Sequence, residues 1–143
     1  MFQKLNIQYL LSYLGLVPLI ILIINKYFLF QIKEEIYIDF IIYYTLIIIV
    51  FIGSTNWNLE LKIKNHIAIY GFLPSLVSVI LIVLNLNNYD PKKTITILIF
   101  VIMIQLLLDY FIIYSNKINK KPFYFLRVPL TINIIICLII FRL

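Results

Sequence analysis

Phe40-Ile41-Ile42-Tyr43-Tyr44-Thr45-Leu46-Ile47-Ile48-Ile49-Val50-Phe51-Ile52-Gly53-Ser54-Thr55-Asn56-Trp57-Asn58-Leu59 runs without a single charged side chain. At about 1.5 Å per residue this is the roughly 30 Å that the hydrocarbon core of a bilayer demands. Outward from it the pattern repeats. Residues 5–25 and 67–89 are equally free of charge, and residues 94–116 are interrupted only by Asp109. A fifth crossing has to fit after Lys121. Residues 128–143 alone make only about 24 Å of helix, so the helix must begin earlier, and Pro122 suits its first position because that residue has no N–H to lose. Phe123, Tyr124 and Phe125 then form an interfacial aromatic group, and Arg127 falls inside the membrane. Five spans are expected, at about 7–27, 38–58, 66–86, 94–115 and 122–142. The fold class is an all-α integral membrane protein, a single five-helix bundle over residues 1–143.

Composition agrees with that class: 64% hydrophobic, 13% charged, with a mean hydropathy of +1.06 that a water-soluble core does not require. The first apolar run is longer than a signal-peptide core, and the single alanine, Ala68, is far from any cleavage position, so the first helix is expected to be retained. An N-terminus without Arg-rich, Ser-rich character points to a bacterial inner membrane ahead of a mitochondrial one. Lys4, Lys62, Lys64, Lys117, Lys120, Lys121 and Arg127 lie on the N-terminal side, against Lys26, Lys33, Lys92, Lys93 and Arg142 opposite. The positive-inside rule then puts the N-terminus in the cytoplasm and, with an odd number of spans, the C-terminus in the periplasm. The net charge of +6 serves membrane headgroups, and no basic, aromatic-interleaved surface suggests nucleic acid.

Small residues are scarce, which makes them informative. The only glycines are Gly15, Gly53 and Gly71. Two share a spacing, Gly15-Leu16-Val17-Pro18 and Gly71-Phe72-Leu73-Pro74, and with Pro129 every odd-numbered helix carries a proline near or before its midpoint. Each missing N–H frees a carbonyl one turn earlier. Kinked helices packing closely at glycine, with Ser75 beside Pro74, are the simpler expectation; a small polar cavity lined by freed carbonyls is the other.

The chain resembles a family of small bacterial and mitochondrial membrane proteins that includes transmembrane protein 69, whose domain has no assigned function. The resemblance rests on Leu14-Gly15-Leu16-Val17-Pro18, on Phe51-Ile52-Gly53 followed by Trp57, on Leu73-Pro74-Ser75-Leu76, on Leu107-Leu108-Asp109 and on Arg127-Val128-Pro129-Leu130-Thr131. It implies five helices in an inner bacterial or mitochondrial membrane. The family's second-helix pattern looks like Gly-Gly-x-His-Trp-Gly, and Asn56 stands here in the histidine's place.

Asp109 and Arg127 flank a short loop near Asn119, about 10 and 8 residues into adjacent antiparallel helices, so their depths differ by about 3 Å. A charge at that depth costs from about 2.5 kcal/mol upward, and each is the other's nearest candidate partner. Gln105 and Thr131, one turn away on either helix, extend a polar stripe that Asn56 joins from the second helix, with Trp57 at the interface. The five polar residues are expected to converge inside the bundle, Arg127 at the mouth of a small cavity and Asp109 beneath it. Ser54, Thr55 and Asn56 are expected to hydrogen-bond between helices. His66 has no Cys, Asp or Glu at ligand spacing, so no metal is expected, nor any cofactor; Cys137 is packing filler.

Nothing in this set resembles a nucleophile with its base, and paired carboxylates are absent, which leaves a lipid-modifying enzyme the weakest reading. A scaffold or assembly factor that packs against other membrane proteins or further copies of itself fits the small size and short loops best. A small-solute or proton-linked carrier using Asp109 and Arg127 is the alternative, and its site would need oligomerisation.

Overall fold

The computed structural model describes residues 7–29, 32–54, 65–115, 118 and 120–143, with the backbone alone for 7–9, 65 and 66. All the regular structure among these residues is helical. Helix α1 (Ile7–Leu14) and α2 (Val17–Ile24) form the first span, closed by a wide π-helical stretch at Asn25–Leu29. Helices α3 (Glu34–Ser54) and α4 (Asn65–Leu86) are the second and third. Helix α5 (Pro91–Leu108) continues as a π-helix through Asp109–Tyr114. A further π stretch at Phe123–Arg127 leads into α6 (Val128–Arg142). Five of these stretches are long and apolar enough to cross a membrane: Leu10–Leu29, Glu34–Ser54, Ile67–Leu86, Pro91–Tyr114 and Phe123–Arg142.

Several boundaries depart from those read off hydropathy, each for a local reason. The second helix begins at Glu34 rather than near residue 38 because Glu34 and Glu35 occupy its first turn, where unpaired N–H groups favour negative charge. Its expected end, residues 55–58, lies outside the described residues. The fourth begins at Pro91 rather than 94: the Asp90 side chain accepts the Lys92 N–H at 3.0 Å, and proline follows the cap where no N–H is needed. Between α4 and α5, Asn88 takes a φ of 58°. The Asn88 N–H then bonds the Asn85 carbonyl and the Tyr89 N–H the Leu84 carbonyl, closing α4 with the paired bonds of a left-handed cap.

Prolines coincide with a break in the first span and with a change of helix type in the fifth. The first span breaks at Gly15 and Leu16, where the Leu16 N–H bonds the Tyr13 carbonyl three residues back at 3.0 Å, and α2 restarts with Pro18 in its first turn. In the fifth, Pro129 opens α6 immediately after the π stretch. Pro74 lies in the interior of α4.

Helix α3 is central, packing against α4, α5 and α6. Its Ile41, Ile42, Leu46 and Ile49 meet Ile95, Leu98 and Ile102 of α5 and Ile134, Leu138 and Phe141 of α6, with Leu19 and Leu22 of α2 alongside. Cys137 is buried in this core. Elsewhere each span turns large apolar side chains outward: Phe100, Met103, Ile104, Leu107 and Phe111 on the fourth are all exposed, as a lipid-facing surface requires. The buried stripe of the same span runs Thr94, Leu98, Ile102, Gln105 and Asp109, at three- and four-residue intervals.

Candidate functional site

The inward stripe of α5 ends on a carboxylate. Asp109 is only 2% exposed, and its N–H still bonds the Gln105 carbonyl, so the two residues share a face before the helix widens. Tyr70 of α4 donates its hydroxyl to Asp109 Oδ1 at 2.5 Å and also lies 3.2 Å from the Gln105 carbonyl. Arg127, last residue of the π stretch before α6, brings Nε to 3.6 Å from Asp109 Oδ2. One guanidinium nitrogen of Arg127 also donates to the Ile52 carbonyl of α3 at 3.4 Å. Both carboxylate oxygens are thus engaged, from two different spans, and the cation bridges to a third. A desolvated carboxylate needs such company, because unpaired it would cost several kcal/mol.

Gln105 is buried beside this pair but turns elsewhere: its side-chain amide donates to the Ile49 carbonyl at 3.2 Å. Thr131 is buried one turn beyond Arg127. Asn56 and Trp57 lie outside the described residues, as does Thr55. Ser54 does not bridge helices; it is exposed and donates to its own Phe51 carbonyl at 2.8 Å. The reason is local, since a hydroxyl near a helix end finds a carbonyl in the preceding turn closer than any on a neighbouring helix. His66 falls in the first turn of α4.

The glycines and prolines surround the same end of the bundle. A Cβ on Gly53 would sit 2.8 Å from the Gly71 carbonyl oxygen and 2.8 Å from the Pro74 ring, so α3 and α4 touch backbone to backbone there. Ser75 follows Pro74, half-buried. Among the described residues, carbonyls beside two of the prolines accept hydroxyls from other spans. Pro129 deprives Phe125 of the N–H four residues on, and the Tyr13 hydroxyl of α1 donates to the Phe125 carbonyl at 2.7 Å. At the break before Pro18, the Gly15 carbonyl accepts the Tyr44 hydroxyl of α3 at 2.8 Å. Neither of the two described grooves in the surface is lined by the Asp109 cluster. Arg127 retains some contact with the surface, its side chain being 15% exposed.

Tyrosine is the residue type that the sequence reading passed over. Tyr13, Tyr44 and Tyr70 each join one span to another here, yet they are three of 11 tyrosines. A usable signal existed at Tyr70, which precedes Gly71, where α3 and α4 approach closely. Among the described residues no three His, Cys, Asp or Glu side chains group as metal ligands would.

A family model described as protein of unknown function (DUF3429) matches residues 6–143. No curated protein and no solved structure matches the chain.

Proposed function

Given that the chain belongs to the DUF3429 family, whose description assigns no activity, we propose that it is a structural or assembly-type interaction protein and that the Asp109 cluster is its internal clamp. The observation that carries this reading is that Asp109 is buried with both oxygens occupied, by Tyr70 and by Arg127. A polar group already satisfied inside the bundle has little left to offer a solute, whereas the outward faces present apolar surface to lipid and to other helices. Its partners are the bilayer and other membrane proteins or further copies of the chain. The narrower relationship to transmembrane protein 69 is part of the proposal: the five motifs that carry the resemblance fall in order within the matched residues.

The proposed address is the bacterial inner membrane, with the mitochondrial inner membrane as the lesser alternative, the N-terminus cytoplasmic and the C-terminus periplasmic. Single cysteines at Asn87 and Asn119, in a Cys137→Ser background, should label from opposite sides, Asn119 from the cytoplasm. Labelling of both from one side removes this topology.

One feature favours the second reading, a small-solute or proton-linked carrier. The 3.6 Å approach of Arg127 Nε to Asp109 Oδ2 is longer than the roughly 2.7–2.9 Å of a tight charge-assisted bond. Purification in mild detergent separates the two. Recovery of one defined membrane complex supports the assembly protein; stabilisation by a solute, with no partner retained, supports the carrier. Complementation of a null strain by the charge-swapped protein adds a second arm, since a clamp tolerates the swap and a solute site does not.

A further inference from the structure

At the end of the bundle opposite Asp109, the first turn of α5 and the last turn of α6 enclose a groove of about 510 Å3. We infer that this groove binds the phosphate of an anionic phospholipid headgroup. Three cations from two helices line it, Lys92 and Lys93 from α5 and Arg142 from α6. Among the described residues none of the three is in an ion pair. The acidic side chain on the wall, Asp90, is already occupied through Oδ1 with the Lys92 N–H at 3.0 Å. Three cationic side chains against one carboxylate leave the side-chain charge of the lining positive.

The place of the groove at the ends of two membrane-length helices favours a lipid over a dissolved anion. The stretches Pro91–Tyr114 and Phe123–Arg142, long and apolar enough to cross a bilayer, begin and end at this groove, which puts it at headgroup level when they do cross, and Ile139 is part of its wall. Below it run exposed apolar stripes, Phe100, Met103 and Leu107 on α5 and Ile132 and Ile136 on α6. Acyl chains lying along those stripes bring their phosphate level with the three cations. The remaining polar walls are acceptors: the Thr96 hydroxyl donates to the Lys92 carbonyl at 2.8 Å, leaving its lone pairs, like the second oxygen of Asp90, for hydroxyls of a headgroup. A phosphoglycerol headgroup supplies both an anionic phosphate and such hydroxyls; choline supplies no donor.

The test uses the full chain in phosphatidylcholine nanodiscs doped with phosphatidylglycerol, read by native mass spectrometry of the released protein. Phosphatidylglycerol should be retained about tenfold over phosphatidylcholine, the size that one or two Lys/Arg contacts near an anionic surface supply. Lys92→Gln/Lys93→Gln/Arg142→Gln should bring the preference to near unity. Lys62→Gln/Lys64→Gln/Lys120→Gln removes the same charge from elsewhere in the sequence and should leave it intact. Should the first triple variant not fold, Ile139→Trp fills the groove while keeping every cation, and it should abolish retention as well. Equal loss in both triple variants, or retention unchanged by Ile139→Trp, would mean diffuse surface attraction and overturns the site. Retention of phosphatidylethanolamine as strong as that of phosphatidylglycerol overturns the anionic selectivity, and full displacement by millimolar inorganic phosphate overturns the lipid as source.

Discussion

At one end of the bundle Asp109 is sealed between Tyr70 and Arg127, Gly53 is pressed against Gly71 and Pro74, and Tyr13 and Tyr44 hold carbonyls across helix breaks. At the other end the ties are of a different kind. Lys26 donates to the Ile140 carbonyl at 2.9 Å and lies 5.6 Å from the centres of the Tyr27 and Phe141 rings. Asn85 donates to both Asp39 and Tyr43 at 3.1 Å, the former bond exposed. Both ends join helices through polar groups, but only the first excludes solvent and lipid from a full charge. The difference teaches that burial, more than the number of contacts, sets what a polar tie is worth, because an exposed group can exchange a lost partner for water or a headgroup and a sealed one cannot.

Breaking the sealed end should therefore cost most. Asp109→Asn leaves Arg127 without its counter-charge and is expected to destabilise the bundle by about 3 kcal/mol, seen as a lower unfolding midpoint in detergent; an unchanged midpoint would end the clamp reading. Gly53→Ala should cost about 1–3 kcal/mol through overpacking, since the neighbours in its way are a backbone carbonyl and a proline ring. The same measurement applied to Gly15→Ala provides the contrast, because the nearest atom there is a carbonyl at 3.2 Å within the same span.

Tyr70→Phe removes one bond to a charged group and is expected to cost about 1.5 kcal/mol. In a double-mutant cycle with Asp109→Asn the two losses should fall short of additive; strict additivity would mean that the hydroxyl and the carboxylate do not interact. Tyr13→Phe should cost about 0.6 kcal/mol, the average for a hydrogen bond between membrane helices, and hydrogen exchange should show the effect near Phe125. The smallest change is expected at the open end, where Asn85→Ala should lie within about 0.5 kcal/mol of wild type by the same unfolding assay. If Asn85→Ala proved as costly as Tyr70→Phe, the contrast between the ends would collapse.

The five spans and the proximity of Asp109 to Arg127 were legible because both follow from length and rise per residue. A short loop forces its two helices to be neighbours, and equal distance from that loop forces equal depth. Tyr70, and the carbonyls of Ile49 and Ile52 that receive Gln105 and Arg127, were not legible in this way. A backbone carbonyl has no letter of its own, and a tyrosine among many carries no mark of the helix it will meet. The π stretches that start at Asp109 and end at Arg127 escaped for a related reason: widening a helix by one residue per turn changes which face is presented without changing composition.

What the sequence by itself determined is therefore the set of quantities that a bilayer reads along one axis: how many crossings, how long, and at what depth each polar residue rests. Hydrocarbon imposes these on every span separately, through the cost of exposing polar groups. Which side of each helix faces inward was left to the tertiary structure. Lipid and protein interior are about equally apolar, so Leu107 facing lipid and Leu98 facing the core look alike in sequence. Only packing at Gly53, Gly71 and Pro74, and the hydroxyls that find carbonyls across the bundle, distinguish the two faces.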